Sequence, residues 1–172
     1  MSRRVFATLA AFIALAVALP VSSANAETFG WRWANTTIPV YSDAPDSWGV
    51  DQAIANWNAG KAVKLTRVNT PITGYGITLH QVSGGGIITG GGGIGGWASW
   101  SNPGTASQTC LIEMSDSTPT SFRPTATTHE FGHCLGLDHT AHKGSIMRAT
   151  LSLTTPNKPS SWDYRELSGL YR

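Results

Sequence analysis

The chain has 172 residues, of which 41% are hydrophobic and only 13% are charged, and its formal net charge is +2. This length fits one domain, and the composition favours a globular body with sizeable loops over a disordered chain or a coiled coil. The 12 Lys and Arg residues are scattered rather than gathered into a run, so we expect no nucleic-acid partner.

The amino-terminal segment has the pattern of a cleaved signal peptide. Two arginines precede an apolar run over residues 5–21, and the small-residue cleavage sequence Ala-Asn-Ala occupies residues 24–26. The uninterrupted apolar run is shorter than the ~20 residues of a membrane span, which argues against a permanent anchor. We therefore predict a signal peptide over residues 1–26, a mature domain over residues 27–172, and secretion without membrane contact. The arginine pair leaves open whether export uses the Sec or the twin-arginine route.

Periodicity predicts one helix and five strands in the first two thirds of the chain. Val50, Ala53, Ile54 and Trp57 recur at helical spacing, which indicates an amphipathic helix. Because this helix lies between the first two strands, those strands should be parallel. The glycine-rich tract over residues 84–96 is interpreted as a loop or bulged edge, since no Gly-Lys-Ser/Thr sequence follows it. The strands are predicted over residues 31–41, 63–68, 77–82, 97–100 and 108–114.

A second predicted helix opens at Pro124 and contains His-Glu-Phe-Gly-His, starting at residue 129. Residues four apart share one face of a helix, so His129 and His133 can bind one cation together. Glu130 is then aimed beside the metal rather than at it. Its carboxylate can take a proton from a water molecule that zinc has acidified, which predicts a general base at this position.

A glycine and a third histidine follow the helix at regular spacing. Gly136 can adopt the left-handed backbone that ends a helix, and His139 comes three residues later. The chain can thus return a third imidazole to the metal while the fourth position stays open for water or a substrate carbonyl. The residues therefore predict one catalytic Zn²⁺ held by His129, His133 and His139.

The string HEFGHCLGLDH, residues 129–139, resembles the extended zinc signature of the metzincin endopeptidases. It is most similar to that of a minimal, secreted, bacterial-type matrixin. Ser-Ile-Met at residues 145–147 resembles the family's Met-turn, in which Met147 would form an apolar floor under the metal. Thr140 departs from the serine that is usual in matrixins, which leaves the exact metzincin branch open.

The resemblance implies both a fold and an activity. The implied fold is a zincin-like α+β catalytic domain, in which a five-stranded mixed sheet carries the amphipathic helix, the active-site helix and a final helix over residues 162–171. The implied activity is that of a zinc metalloendopeptidase acting on an extended polypeptide substrate. Hydrolysis would use a zinc-activated water, with Glu130 as the general base.

Cys110 and Cys134 are the only cysteines, and a secreted protein allows them to form a disulfide. Closing a loop of about 24 residues would stabilise the fold by roughly 3 kcal/mol. In an alternative interpretation, Cys134 would be a metal ligand next to His133. This interpretation is disfavoured because adjacent helical residues point about 100° apart and better-spaced histidines are available.

Two other functions and one further cofactor stay open. One alternative function is a polysaccharide-binding surface formed by the seven tryptophans, although their dispersal through the predicted elements favours core positions. The histidines could also bind metal without any turnover. Calcium could bind Asp43, Asp46 or Asp116, but no spacing assigns a site. We expect the protein to be a monomer.

Overall fold

The structure is a computed structural model that describes residues 27–83 and 95–172. The predicted signal peptide, residues 1–26, lies outside the described residues, as does most of the glycine-rich tract. Among the described residues, no helix is long and apolar enough to cross a membrane.

In the described residues, eight regular elements follow one another, together with a 3₁₀ helix at Asp46–Trp48. The α+β fold with a five-stranded mixed sheet and three helices is confirmed. The strands are β1 (Thr37–Ser42), β2 (Lys64–Arg67), β3 (Gly76–Val82), β4 (Gly96–Ser101) and β5 (Thr109–Ser115). The helices are α1 (Val50–Asn58), α2 (Arg123–Cys134) and α3 (Ser161–Leu170).

The first strand is shorter than the sequence predicts, because it begins at Thr37 rather than at residue 31. The aromatic residues that suggested a longer strand pack elsewhere. Trp33 is 2% exposed, and its indole Nε1 donates a hydrogen bond of 2.6 Å to the carbonyl of Cys134. The segment ahead of β1 therefore packs against the end of α2 instead of extending the sheet.

The sheet has the strand order β2-β1-β3-β5-β4. β1 is parallel to both β2 and β3, and β3 is parallel to β5, whereas β4 is antiparallel to β5. The predicted parallel crossover from β1 through α1 to β2 is thus confirmed. β4 is the last strand in this order, so it forms one edge of the sheet described here.

The core lies between the inner face of the sheet and helices α1 and α2. On β5 the side chains alternate, with Ile112 and Met114 fully buried while Leu111 is exposed, as expected for a sheet covered on one face. Helix α2 is buried over nearly its whole length although it is largely polar. Its backbone is bound by core tryptophans, since Trp57 Nε1 donates a hydrogen bond of 2.9 Å to the carbonyl of Thr128. Packing, and not an apolar stripe, fixes the position of α2.

A disulfide between Cys110 and Cys134 joins β5 to the last residue of α2, and their Cα atoms are 5.7 Å apart. Both cysteines are buried. Since neither is free, Cys134 is not a metal ligand in this structure. The bond instead anchors the end of α2 from which the chain turns toward His139.

Candidate metal centre

Helix α2 brings the first two predicted ligands together. His129 and His133 lie one turn apart on the same face, and their Nε2 atoms are 3.0 Å apart. Both side chains are largely buried, at 6% and 8% exposure. This placement follows from helical geometry alone, because residues four apart lie above one another.

The third histidine reaches the same point because α2 ends at a glycine turn. Gly136 has a φ of 97°, in the left-handed region, and a Cβ there would overlap the carbonyl oxygen of Trp31. The amide of Leu137 donates a hydrogen bond of 3.0 Å to the carbonyl of Gly132, which closes the turn. His139 then places its Nε2 atom 3.2 Å from that of His133. Gly136 therefore has the helix-ending geometry that the sequence predicts.

The three histidines fit a zinc ion. Their Nε2 atoms are separated by 3.0, 3.2 and 3.3 Å. Three nitrogens at tetrahedral zinc, each bound at 2.0–2.1 Å, would be about 3.3 Å apart. The rings are also held in the required orientation, because Nδ1 of His129 donates to the carbonyl of Ile146 (2.7 Å) and Nδ1 of His133 to that of Leu137 (2.9 Å). These bonds leave the Nε2 lone pairs facing one common point.

Burial keeps two of the three imidazoles neutral, which is the form that binds metal. Burial, together with the neighbouring His133, lowers the pKa of His129 from 6.5 to about 3. Burial likewise lowers the pKa of His133 from 6.5 to about 4. Neither ring has to lose a proton before binding a cation near neutral pH.

Glu130 follows His129 on α2 and packs between that helix and the edge strand β4. Its side chain is buried, and the backbone of Ala98 donates a hydrogen bond to its carboxylate. Burial raises the pKa of Glu130 from 4.5 to about 8, and the bond from Ala98 only partly opposes that rise. Gly96 allows the close approach of β4, because a Cβ there would lie 3.0 Å from Cγ of Glu130.

Met147 packs against the helical turn that carries the histidines. Its side chain is 2% exposed, and its sulfur occupies the space that a Cβ on Gly132 would need. The carbonyl of Met147 accepts a hydrogen bond of 2.8 Å from the amide of Thr140, next to His139. The methionine thus contacts both segments that carry the clustered histidines.

Asp163 was not predicted from the sequence as a site residue, yet its side chain holds the segment of residues 145–147 in place. Its buried carboxylate accepts hydrogen bonds from the hydroxyl of Ser145 and the amide of Ile146, the latter at 3.2 Å. It also accepts from the amide and hydroxyl of Ser160, both at 2.7 Å, in a capping box at the start of α3. The spacing Ser-x-x-Asp ahead of a helix could have predicted the helix cap from the sequence. No local sequence pattern predicts the contact of Asp163 with Ser145 and Ile146, because these residues are far from it in the chain.

The other two histidines do not join the cluster. His80 pairs with the carboxylate of Asp43 at 2.8 Å on the surface, and the ring of His142 stacks on Trp162 at a centroid distance of 4.3 Å. Within residues 27–83 and 95–172, the three clustered histidines are the one group with metal-ligating geometry. The aspartates considered for calcium form no such group in that part of the chain.

A sequence model of the matrixin family of peptidases matches residues 26–172, which is the whole of the predicted mature domain. A search among curated proteins found no significant match.

Proposed function

Because the chain belongs to the matrixin family and is therefore a metzincin-type zinc metalloendopeptidase, we propose that three histidines hold its metal and that Glu130 is its general base. The proposed ligands are His129, His133 and His139. The observation that carries this proposal is the convergence of their three Nε2 atoms at 3.0 to 3.3 Å from one another.

Zinc bound there would supply a Lewis acid that polarises the scissile carbonyl and acidifies water. The chain's own residues would handle the proton. The Glu130 carboxylate would take a proton from the attacking water and later deliver it to the amine nitrogen that leaves. The Ala98 amide would hold the carboxylate in place during both transfers.

The edge strand β4 is the proposed platform for the substrate. It runs past Glu130 and has only β5 as a partner among the described strands. An extended polypeptide can add to such an edge through backbone hydrogen bonds, which places one of its peptide bonds over the histidine cluster. This arrangement suits an endopeptidase, because it recognises backbone and not chain ends.

We also propose that the enzyme is secreted after removal of residues 1–26. The disulfide between Cys110 and Cys134 supports this proposal, because such bonds persist in oxidising compartments. The amino-terminal pattern of basic residues, apolar run and small-residue cleavage sequence supports it independently.

The experiment that tests the catalytic proposal is hydrolysis of casein by the purified mature chain, with and without a chelator and with zinc add-back. Glu130→Gln is the decisive variant, because it should still bind one zinc while losing 10³-fold or more in kcat/KM, on the order expected for a general base. Glu113→Gln, at an exposed position on β5, is the matched control and should cleave like wild type.

Each outcome has a clear meaning. Chelator-sensitive cleavage that is lost in Glu130→Gln supports both the metal site and the base. Full activity in Glu130→Gln would rule out Glu130 as the base. Zinc binding by folded wild type without cleavage of any protein substrate would favour metal binding without turnover.

A further inference from the structure

Three aromatic side chains form a cluster directly beside the histidine site. Phe29, Trp31 and Trp100 pack together, with ring centroids 4.6 Å apart for Phe29 and Trp100 and 5.2 Å apart for Trp31 and Trp100. The ring of Phe29 lies 5.8 Å from that of the proposed ligand His133. We call these three residues the aromatic cluster.

The amino-terminal part of the cluster is fixed against the segment that carries the ligands. The amide of Phe29 donates a hydrogen bond to the carbonyl of Gly136, and the amide of Asp138 donates to the carbonyl of Glu27, both at 2.9 Å. Thr28 forms an antiparallel bridge with Leu137 between them. Residues 27–29 therefore form a wall along the turn between the second and third histidines.

The third residue of the aromatic cluster, Trp100, belongs to the edge strand β4. Trp100 lies two residues beyond Ala98 on β4, so both side chains point to the same face of the sheet as Glu130. Trp97 points to the opposite face and is 51% exposed. The aromatic cluster thus continues the proposed substrate platform from Glu130 toward the Ser101 end of β4.

The cluster keeps apolar surface in contact with solvent, unlike the core tryptophans. Phe29, Trp31 and Trp100 are each half-buried, whereas Trp48 and Trp57 are fully buried. Leaving large aromatic surface in water costs free energy, and several such groups at one place mark a binding surface. The guanidinium of the neighbouring Arg32 is directed toward the end of α3, where it donates to the backbone oxygens of Leu170 and Arg172.

From this geometry we propose that the aromatic cluster is a substrate subsite that selects a large apolar side chain, above all an aromatic one. The selected residue lies on the side of the scissile bond that faces the Ser101 end of β4. The surface offers ring faces and edges without charge, and such a surface discriminates by burying apolar area and by aromatic pairing. This inference rests on the proposed function and names the class of substrate that the site prefers.

The test uses one cleavable peptide in which Phe or Gln is placed in turn at each of four positions on either side of the scissile bond. Wild type should prefer Phe over Gln at one position by about 10- to 100-fold in kcat/KM. Trp100→Ala should reduce that ratio to about 3-fold or less, because it removes one of the two indole rings of the subsite, the one carried by the edge strand. Trp97→Ala, on the same strand but on the other face, is the matched control and should keep the ratio.

Two results would overturn the subsite. One is a wild type that prefers Phe at no position, and the other is a Phe-to-Gln ratio that persists in folded Trp100→Ala. If that variant does not fold, Trp100→Leu, which keeps apolar volume but removes the ring, should reduce the same ratio and decides the question.

A binding measurement separates this proposal from the proposed function. The zinc-loaded Glu130→Gln protein should bind the Phe peptide about 10-fold or more tightly than the Gln peptide, as followed by tryptophan fluorescence. Adding Trp100→Ala should abolish that difference. Equal binding of both peptides would overturn the subsite even if cleavage is found, and preferential binding without any cleavage would overturn only the peptidase mechanism.

Discussion

At the scale of single residues, the site combines groups whose pKa values burial moves in opposite directions. Burial lowers the pKa of His129 to about 3 and that of His133 to about 4, and it raises the pKa of Glu130 to about 8. All three groups are therefore held in their neutral forms in the metal-free fold at pH 7. A cation bound by the histidines would favour the ionised form of Glu130, and it would leave both imidazoles neutral.

The raised pKa of Glu130 makes a prediction for the metal-free protein. The folded state keeps a proton that the unfolded state loses above pH 4.5, so the contribution of Glu130 to the free energy of unfolding of wild type should fall as pH rises from 4.5 to 8. Glu130→Gln has no such proton. Its stability relative to wild type should therefore rise by on the order of 1 kcal/mol per pH unit between pH 5 and 8.

Urea unfolding in the presence of chelator at pH 5, 6, 7 and 8 measures this difference. The buried histidines destabilise both proteins alike as pH falls below 6.5, because their pKa values are lowered in the fold, so their contribution cancels. Glu113→Gln, at an exposed position, serves as the control. Parallel stability curves for wild type and Glu130→Gln would show that Glu130 is not buried as the structure has it.

At the scale of elements, α2 carries the site although its sequence is a poor amphipathic helix. Its middle is fixed by contacts from other elements, including the indole of Trp57 on the carbonyl of Thr128 and the thioether of Met147 against Gly132. Gly132 lies between the two histidines of the helix. A side chain there would meet Met147 and also Trp57, whose Cζ2 atom would be 2.9 Å from the new Cβ.

Gly132→Ala should therefore destabilise the protein, although alanine is the better helix former by about 1 kcal/mol. We expect a loss of about 1–3 kcal/mol in the free energy of unfolding, because the added methyl overpacks the core. Gly169→Ala in α3 is the matched control, since its new Cβ would meet nothing within 4 Å. That control should stabilise the fold by roughly 0.5–1 kcal/mol.

Urea or thermal unfolding of both variants checks this pair of opposite expectations. If Gly132→Ala proved as stabilising as Gly169→Ala, the contact between Met147 and α2 would be much looser than the structure shows. Gly132→Ala should also bind zinc more weakly if the added methyl displaces Met147 toward the histidines.

At the scale of the whole molecule, segments far apart in sequence meet around the end of α2. The disulfide from β5 reaches Cys134, the indole of Trp33 binds the carbonyl of that same residue, and the hydroxyl of Tyr171 donates to the carbonyl of Leu135 at 3.1 Å. The last turn of α2 is thus tied to the amino-terminal segment, the sheet and the carboxyl-terminal helix. This region holds the turn that leads to His139.

Removing the disulfide should lower the stability of the folded chain without changing its fold. The bond spans 24 residues, so its loss should cost about 3 kcal/mol through the greater freedom of the unfolded chain. The double variant Cys110→Ala and Cys134→Ala, compared with oxidised wild type by urea unfolding, measures this cost. A reducing agent should destabilise wild type by a similar amount and leave the stability of the double variant unchanged. Equal stability of oxidised wild type and the double variant would contradict the prediction.

The sequence by itself determined the parts of this protein that depend on local geometry. The histidine cluster is encoded within residues 129–139, because helical periodicity aligns the first two rings and a glycine turn returns the third. The strands with clear alternation and the parallel crossover through α1 were predictable for the same reason. A local sequence pattern is enough to predict a contact wherever the interacting residues are close together in the sequence.

Only the tertiary structure decided which distant groups surround the histidines. The Ala98 amide reaches Glu130, Asp163 binds Ile146, and Phe29 lies against His133. Each of these contacts depends on strand order and on how segments pack across the core, which periodicity does not encode. The late start of β1 has the same cause, because aromatic residues that favour a strand gained more from packing against α2 than from pairing with a neighbour.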